Sequence, residues 1–232
     1  MSIPFDTLIK PLTRERFFDE FKDKKHFVIK SKTNIFRHHF SWHEFDNYLN
    51  QIKIGQWDRT PQLQIVLPNG NKWCKKKSKE KYSREQILDF WNQGCSFILT
   101  LSEFLNGNMW RQCQEFEKVY GVGQANIYCS KRKDAHCFPI HADSTDNFLF
   151  HVSGKIRWYI YKEFSKDLGH QRLGDATLEE VVELDDGDLL YIPKGKFHRV
   201  DTLSPRISIS FHFREATLGK PYRRRKWYDW KP

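Results

Sequence analysis

From Gln124 onward the sequence breaks into short runs of alternating apolar and polar residues separated by turns. No other feature restricts the possible folds as much. Eight such runs read as strands, at about 124–130, 138–143, 147–153, 155–162, 180–184, 188–192, 197–202 and 206–213. Strands of that length and spacing suit a double-sheet jelly roll. Before residue 124 the pattern is mostly helical. Thr13 can cap a helix carrying the stripe Phe17, Phe18 and Phe21. Ser41 with Glu44 and Ser83 with Gln86 mark two more helix starts, and a long helix is expected from Ser102 to about Tyr120. Strands are expected at 26–30, 62–67 and 95–100. Helices first and strands later indicate an α+β chain. Residues 1–123 would pack on the barrel, 124–213 would form the jelly-roll core, and 214–232 would be a basic, aromatic tail, all in one integrated domain.

Within this pattern, His141 and Asp143 stand two apart in a strand or at its mouth. Strand side chains alternate, so both can point at one ion. His198 offers a third ligand from a later strand. Two histidines and a carboxylate on one face of an octahedron leave open positions opposite, as in non-haem Fe(II) oxygenases. A His-x-Asp pair alone says little in a chain with 10 histidines. Its flanks say more.

Those flanks are Gln124-Ala125-Asn126-Ile127-Tyr128, Asp146-Asn147-Phe148, Gly154, Trp158 and the run from Gly187-Asp188 to His198. Together with His141-Ala142-Asp143 this resembles the JmjC-type cupin oxygenases, most closely the ribosomal-oxygenase branch of protein hydroxylases. The resemblance covers most of residues 10–213. It implies a double-stranded β-helix, or cupin, that holds Fe(II) on His141, Asp143 and His198 and consumes 2-oxoglutarate and O2. The reaction would hydroxylate an unactivated C–H of a protein or peptide side chain, or of a free amino acid or small metabolite. Asn126, Tyr128 and Asn147 occupy positions where family members contact the co-substrate. His151 stands where the family has a pocket-lining glutamine and is a candidate substrate contact. Lys194 and Lys196, just before the third ligand, are expected at the barrel mouth, where they would meet an anionic substrate.

The second departure from the family pattern is larger. The Lys or Arg that grips the distal carboxylate of 2-oxoglutarate in the family is replaced by Ile156. Lys155 and Arg157 flank it, but alternation turns both to the other side of the strand. A buried carboxylate without a cation is costly, so another must serve. In Arg206-Ile207-Ser208-Ile209-Ser210-Phe211 the polar residues share one face and the apolar residues the other. Arg206 is therefore the expected replacement, gripping the carboxylate as a fork, with Ser208 assisting. The alternative for Arg206 is an ion pair at the barrel rim.

Composition adds bounds. An aromatic content of 16% argues against disorder. No apolar run approaches the ~20 residues of a membrane span, and the N-terminus lacks signal-peptide features. Five scattered cysteines without a C-x-x-C pair read as reduced thiols, hence a cytoplasmic protein. The chain ends about twenty residues after its last expected strand, leaving no room for the C-terminal domains of the resembled branch. The net charge of +10 is concentrated in a lysine run from Lys72 to Lys81 and in Arg223-Arg224-Arg225-Lys226, which Trp227, Tyr228 and Trp230 follow. Such charge favours acidic or nucleic-acid partners. It supports the rival reading of a non-catalytic metal-binding cupin or a nucleic-acid-binding module. Nothing in the sequence fixes an oligomeric state.

Overall fold

The structure is a computed structural model that describes residues 2–50, 62–67, 73–74, 83–135, 137–165, 171–172 and 174–214. Most of the lysine run and all of the basic tail beyond residue 214 lie outside the described residues.

The described strands are β1 (Phe27–Ile29), β2 (Gln62–Val66), β3 (Trp73–Cys74), β4 (Ser96–Thr100), β5 (Val122–Ser130), β6 (His141–Ala142), β7 (Asp146–Ser153), β8 (Ile156–Phe164), β9 (Gln171–Arg172), β10 (Leu178–Leu184), β11 (Leu189–Ile192), β12 (Lys196–Thr202) and β13 (Arg206–Arg214). They form two antiparallel sheets. The larger has the order β1-β11-β7-β13-β5-β4-β2-β3, and the smaller β10-β8-β12-β6-β9. This is the jelly-roll core expected from the strand spacing. The front half contributes strands as well as helices. β4 pairs with β5, and β1 pairs with β11, so both extend the larger sheet.

Alternation explains how the layers stack. On β13, Ile207, Ile209, Phe211 and Phe213 face the N-terminal segments, where Phe5, Phe17 and Phe116 pack against Phe148 of β7. Phe116 lies with its ring centre 5.1 Å from that of Phe148 and 4.7 Å from that of Phe213. Many of the described aromatic residues thus form one buried layer between helices and sheet. Truncating one such ring typically costs ~3–5 kcal/mol. The opposite face of the same sheet carries Arg206, Ser208 and Ser210 and turns toward the smaller sheet. A second apolar cluster there, including Leu149, Ile156, Ile160 and Leu190, fills the barrel interior.

Local signals behave as their chemistry demands. Ser41 Oγ accepts from Glu44 N at 3.2 Å at the start of the Trp42–Leu49 helix. Ser83 and Gln86 form a reciprocal cap on Arg84–Asn92. Thr13 caps a short Arg14–Arg16 turn that continues as a π-helix over Phe17–Phe21. Two expectations need correction. The helix expected from Ser102 is instead a 3-10 turn, Ser102–Phe104, followed by a separate helix, Gly107–Glu117. Asn106 interrupts it by accepting from Asn108 N and Met109 N, which suits asparagine better than a helix interior. The strand expected over 138–143 shrinks to His141–Ala142, because Pro139 has no N–H for a ladder. Gly154, the family glycine, has φ +88°, and a Cβ there would lie 2.0 Å from Pro205 O. No helix among the described residues is long and apolar enough to cross a membrane.

Candidate active site

β6 and β12 pair antiparallel with His141 directly opposite His198. Their rings lie 4.3 Å apart between centres. Asp143 follows β6, and Gly195 N donates to Asp143 O at 2.8 Å, which ties the first motif to the loop before His198. One ligand atom from each of His141, Asp143 and His198 lies within 4.8 Å of the other two. His198 Nε2 is 3.8 Å from Asp143 Oδ2.

The donor set fits a divalent transition metal. His141 Nδ1 faces Pro139 O at 2.9 Å, and His198 Nδ1 faces Lys196 O at 2.9 Å. A carbonyl only accepts, so each Nδ1 carries the proton and each Nε2 keeps its lone pair for an ion. The carboxylate is oriented as well. Asn147 Nδ2 donates to Asp143 Oδ2 at 2.8 Å, and Ser210 Oγ donates to Asn147 Oδ1 at 3.0 Å. Asn147→Ala is therefore expected to weaken metal binding by roughly 10–100-fold without unfolding the protein, measured by metal titration.

Asp146, the second carboxylate of the motif, turns away from this centre. It is buried and accepts from Lys194 N at 2.7 Å and from Tyr191 Oη at 3.2 Å, and also pairs with Tyr120. Its role is to fix the β11–β12 loop that leads into His198.

The triad opens on a cavity of about 650 Å³, part of it open to solvent. Its walls are largely apolar, with Trp158, Leu149, Leu190, Ile192 and Val200 among them. Its charged groups, among the described residues, are the triad's carboxylate and Arg206. Arg206 is only 4% exposed. It donates to Ser208 Oγ at 3.3 Å and to Cys137 Sγ at 3.4 Å, and its Cζ lies 5.9 Å from the Tyr128 ring centre. Its Nε has no partner, and no acidic side chain pairs with it, among the described residues. The rim ion pair considered from sequence is thus not what the structure shows.

A chain of contacts links Arg206 to the position of the missing family cation. Ile156 is opposite Thr202 in the ladder, Thr202 Oγ1 touches Cys137 Sγ at 3.5 Å, and Cys137 touches Arg206. Ile156 itself is fully buried in the apolar interior cluster. Lys155 and Arg157 point outward as alternation requires, Lys155 to Asp185 at 3.3 Å and Arg157 to Glu183 at 2.6 Å.

The other candidates divide. Tyr128 and Asn147 line the cavity with the triad and Arg206. Burial, reinforced by the charge of Asp143, pushes the Tyr128 phenol well above its ordinary pKa, so it remains a hydrogen-bond donor at neutral pH. Asn126 does not line the cavity; its Nδ2 pairs with His212 Nε2 at 3.0 Å. Ser208 is also absent from the lining and acts only through Arg206 and His151.

None of the three expected substrate contacts lines the cavity. His151 is completely buried, with Nδ1 on Ser208 Oγ at 3.0 Å and Nε2 on Gly154 O at 2.9 Å. Both nitrogens serve the framework. Lys196 is buried, pairs with Glu179 and sits over the Phe164 ring at 4.5 Å. Lys194 pairs with Asp23 at 3.2 Å. Neither lysine lines the cavity. Sequence reasoning missed Cys137, Phe138, Ser96 and Ile98 in the lining. Ser96 and Ile98 enter through the β4–β5 pairing, which strand alternation alone does not reveal.

Burial pushes the His151 imidazole down to about 4 from an ordinary value of 6.5. The unfolded chain therefore binds this proton more readily than the folded one between those values. The stability that the neutral ring contributes is complete above about pH 6.5 and is lost as pH falls toward 4. A shift of this size corresponds to roughly 3 kcal/mol. Urea midpoints should fall across that window, and His151→Gln should flatten the fall.

Comparison with known proteins agrees with this geometry. The JmjC domain family matches residues 100–220, just over half of the chain. A Dictyostelium discoideum protein described as a bifunctional lysine-specific demethylase and histidyl-hydroxylase NO66 is 29% identical over 90% of this chain and 42% of its own length. Ribosomal oxygenase 1 of Danio rerio is 23% identical over 97% of this chain and 41% of its own. Among solved structures, Escherichia coli YcfD, a ribosomal oxygenase in complex with cobalt and 2-oxoglutarate, superposes with a TM-score of 0.65 at 18% identity, covering 90% of this chain and 53% of that one. The chain thus spans about half, or less, of the length of these relatives. A jelly roll that sets two histidines and an aspartate around one point, together with the matched segment, settles the family: this chain belongs to the JmjC domain proteins.

Proposed function

We propose that this protein is an Fe(II)- and 2-oxoglutarate-dependent dioxygenase that hydroxylates an unactivated C–H. The observation that carries the reading is Arg206, a guanidinium buried in the same cavity as the triad and lacking a carboxylate partner among the described residues. A buried charge of that kind calls for a counter-ion. A dicarboxylate with one end at the metal and the other at Arg206 supplies it. The E. coli ribosomal oxygenase described with cobalt and 2-oxoglutarate shares the fold and supports the same ligand pair.

In this reading His141, Asp143 and His198 hold the metal, which, when bound, supplies the activation of O2 coupled to decarboxylation of the keto acid. Asn147 and Ser210 hold the carboxylate of Asp143 in place. Arg206, fixed by Ser208, grips the distal carboxylate, and Tyr128 offers a second donor. Trp158 and the aliphatic walls keep the reacting centre dry.

The lining favours a side chain of a protein or peptide over a free amino acid. Apart from Arg206 and the triad, the described walls are neutral, so the ammonium group of a free amino acid would meet no carboxylate except the metal ligand Asp143. Relatives described as histidyl-hydroxylase and ribosomal oxygenase point the same way. The described cysteines form no disulfide, which suits a reducing compartment such as the cytoplasm. The rival, a cupin without catalysis, rests on Ile156. Incubation with Fe(II), ascorbate and carboxyl-labelled 2-oxoglutarate tests the choice. Substrate-stimulated release of labelled CO2 is expected. A protein that binds metal but releases none with any peptide or amino acid would be the non-catalytic cupin.

A further inference from the structure

Among cysteines with described side chains, Cys95, Cys113 and Cys129 are buried in the core, and Cys137 is partly open and lines the cavity. Its Sγ lies 3.4 Å from Arg206 Nη2, 3.5 Å from Thr202 Oγ1 and 3.7 Å from Ala135 O. A further group shows that this end of the cavity is built for a polar ligand: Arg206 is 4% exposed, and its Nε is unpartnered among the described residues. A thiol is therefore placed against the guanidinium that, on the reading above, receives the distal carboxylate.

We propose that Cys137 is an oxidative modification site that controls co-substrate binding. The reactant is hydrogen peroxide. The sulfur attacks one peroxide oxygen, an S–O bond forms and the O–O bond breaks. The thiol proton leaves with the departing hydroxide as water, giving a sulfenic acid; sulfur loses two electrons and peroxide gains them. The new oxygen sits beside Arg206 Nη2 and takes the donor face that the carboxylate needs. A thiol reductant reverses the change. Cys95, Cys113 and Cys129 lack this access, so the modification is selective among them.

This inference rests on Arg206 being the co-substrate anchor, and the test separates the two. Holoprotein loaded with Mn(II) is treated with peroxide and then dimedone, with and without N-oxalylglycine, and mapped by peptide mass spectrometry. Affinity for N-oxalylglycine is measured before and after peroxide in the wild type and in Cys137→Ser. Labelling at Cys137 is expected to exceed that at Cys113 and Cys129 and to be suppressed by N-oxalylglycine. Peroxide is expected to weaken binding by about tenfold or more in the wild type, the scale of one charge-assisted hydrogen bond, and to leave Cys137→Ser at its own starting value. Tight binding by untreated protein with no protection of Cys137, or an equal loss in Cys137→Ser, overturns the proposal and leaves the co-substrate reading standing. Failure of untreated protein to bind N-oxalylglycine removes both.

Discussion

Arg206→Ala is expected to raise the apparent Kd for 2-oxoglutarate by roughly 30-fold to more than 1,000-fold, because truncating one partner of a buried charge pair costs ~2–5 kcal/mol. Metal affinity should change little, since the triad is held by separate contacts to Pro139 O, Lys196 O and Asn147. Arg206→Lys should recover only part of the loss, because an ammonium cannot reproduce the planar fork. A sharper version moves the cation. Ile156 holds the sequence position of the family cation and is linked to Arg206 through Thr202 and Cys137. Ile156→Lys should therefore restore binding in the Arg206→Ala background. In the wild type it should destabilise, because a second cation would then be buried beside the first. An unchanged Kd in Arg206→Ala would remove Arg206 from the site.

Asp143→Ala is the second large effect. It removes the only carboxylate, among the described residues, that faces the two Nε2 atoms, and it takes from Asn147 Nδ2 its shorter acceptor, leaving Thr145 O at 3.4 Å. Metal affinity should fall by more than the ~100-fold expected for losing an outer partner, and 2-oxoglutarate turnover should disappear. The fold should persist, because Asp143 is a quarter exposed and the barrel core lies elsewhere. His198→Ala should behave alike. Circular dichroism with metal titration checks both, and near-normal metal binding in either would disperse the proposed centre.

Much of this arrangement was legible in the sequence, and the reasons differ by residue. Period-two alternation placed Arg206, Ser208 and Ser210 on one face, and that face is the barrel interior. It also turned Lys155 and Arg157 outward, to Asp185 and Glu183. Capping chemistry located the starts of the helices at Trp42 and Arg84. What alternation does not fix is how far each position lies from the cavity. Tyr128 and Asn126 share a face by spacing, yet Tyr128 lines the cavity and Asn126 is taken up by His212. His151 shares the inward face, but its two nitrogens are satisfied by Ser208 and Gly154 before any ligand arrives. Lys196 precedes the third ligand closely, yet Glu179, from a strand not adjacent in sequence, draws it aside. The same limit hid Cys137 and Ser96, which reach the cavity through chain paths and pairings set by the whole sheet.

The most direct measurement is a crystal structure with Mn(II) and N-oxalylglycine bound. The expected result is one metal ion on His141 Nε2, His198 Nε2 and the Asp143 carboxylate, with the distal carboxylate of the ligand on the Arg206 guanidinium and the Tyr128 hydroxyl nearby. A metal ion on other residues, or a ligand whose far carboxylate turns away from Arg206 toward another cation, would contradict it.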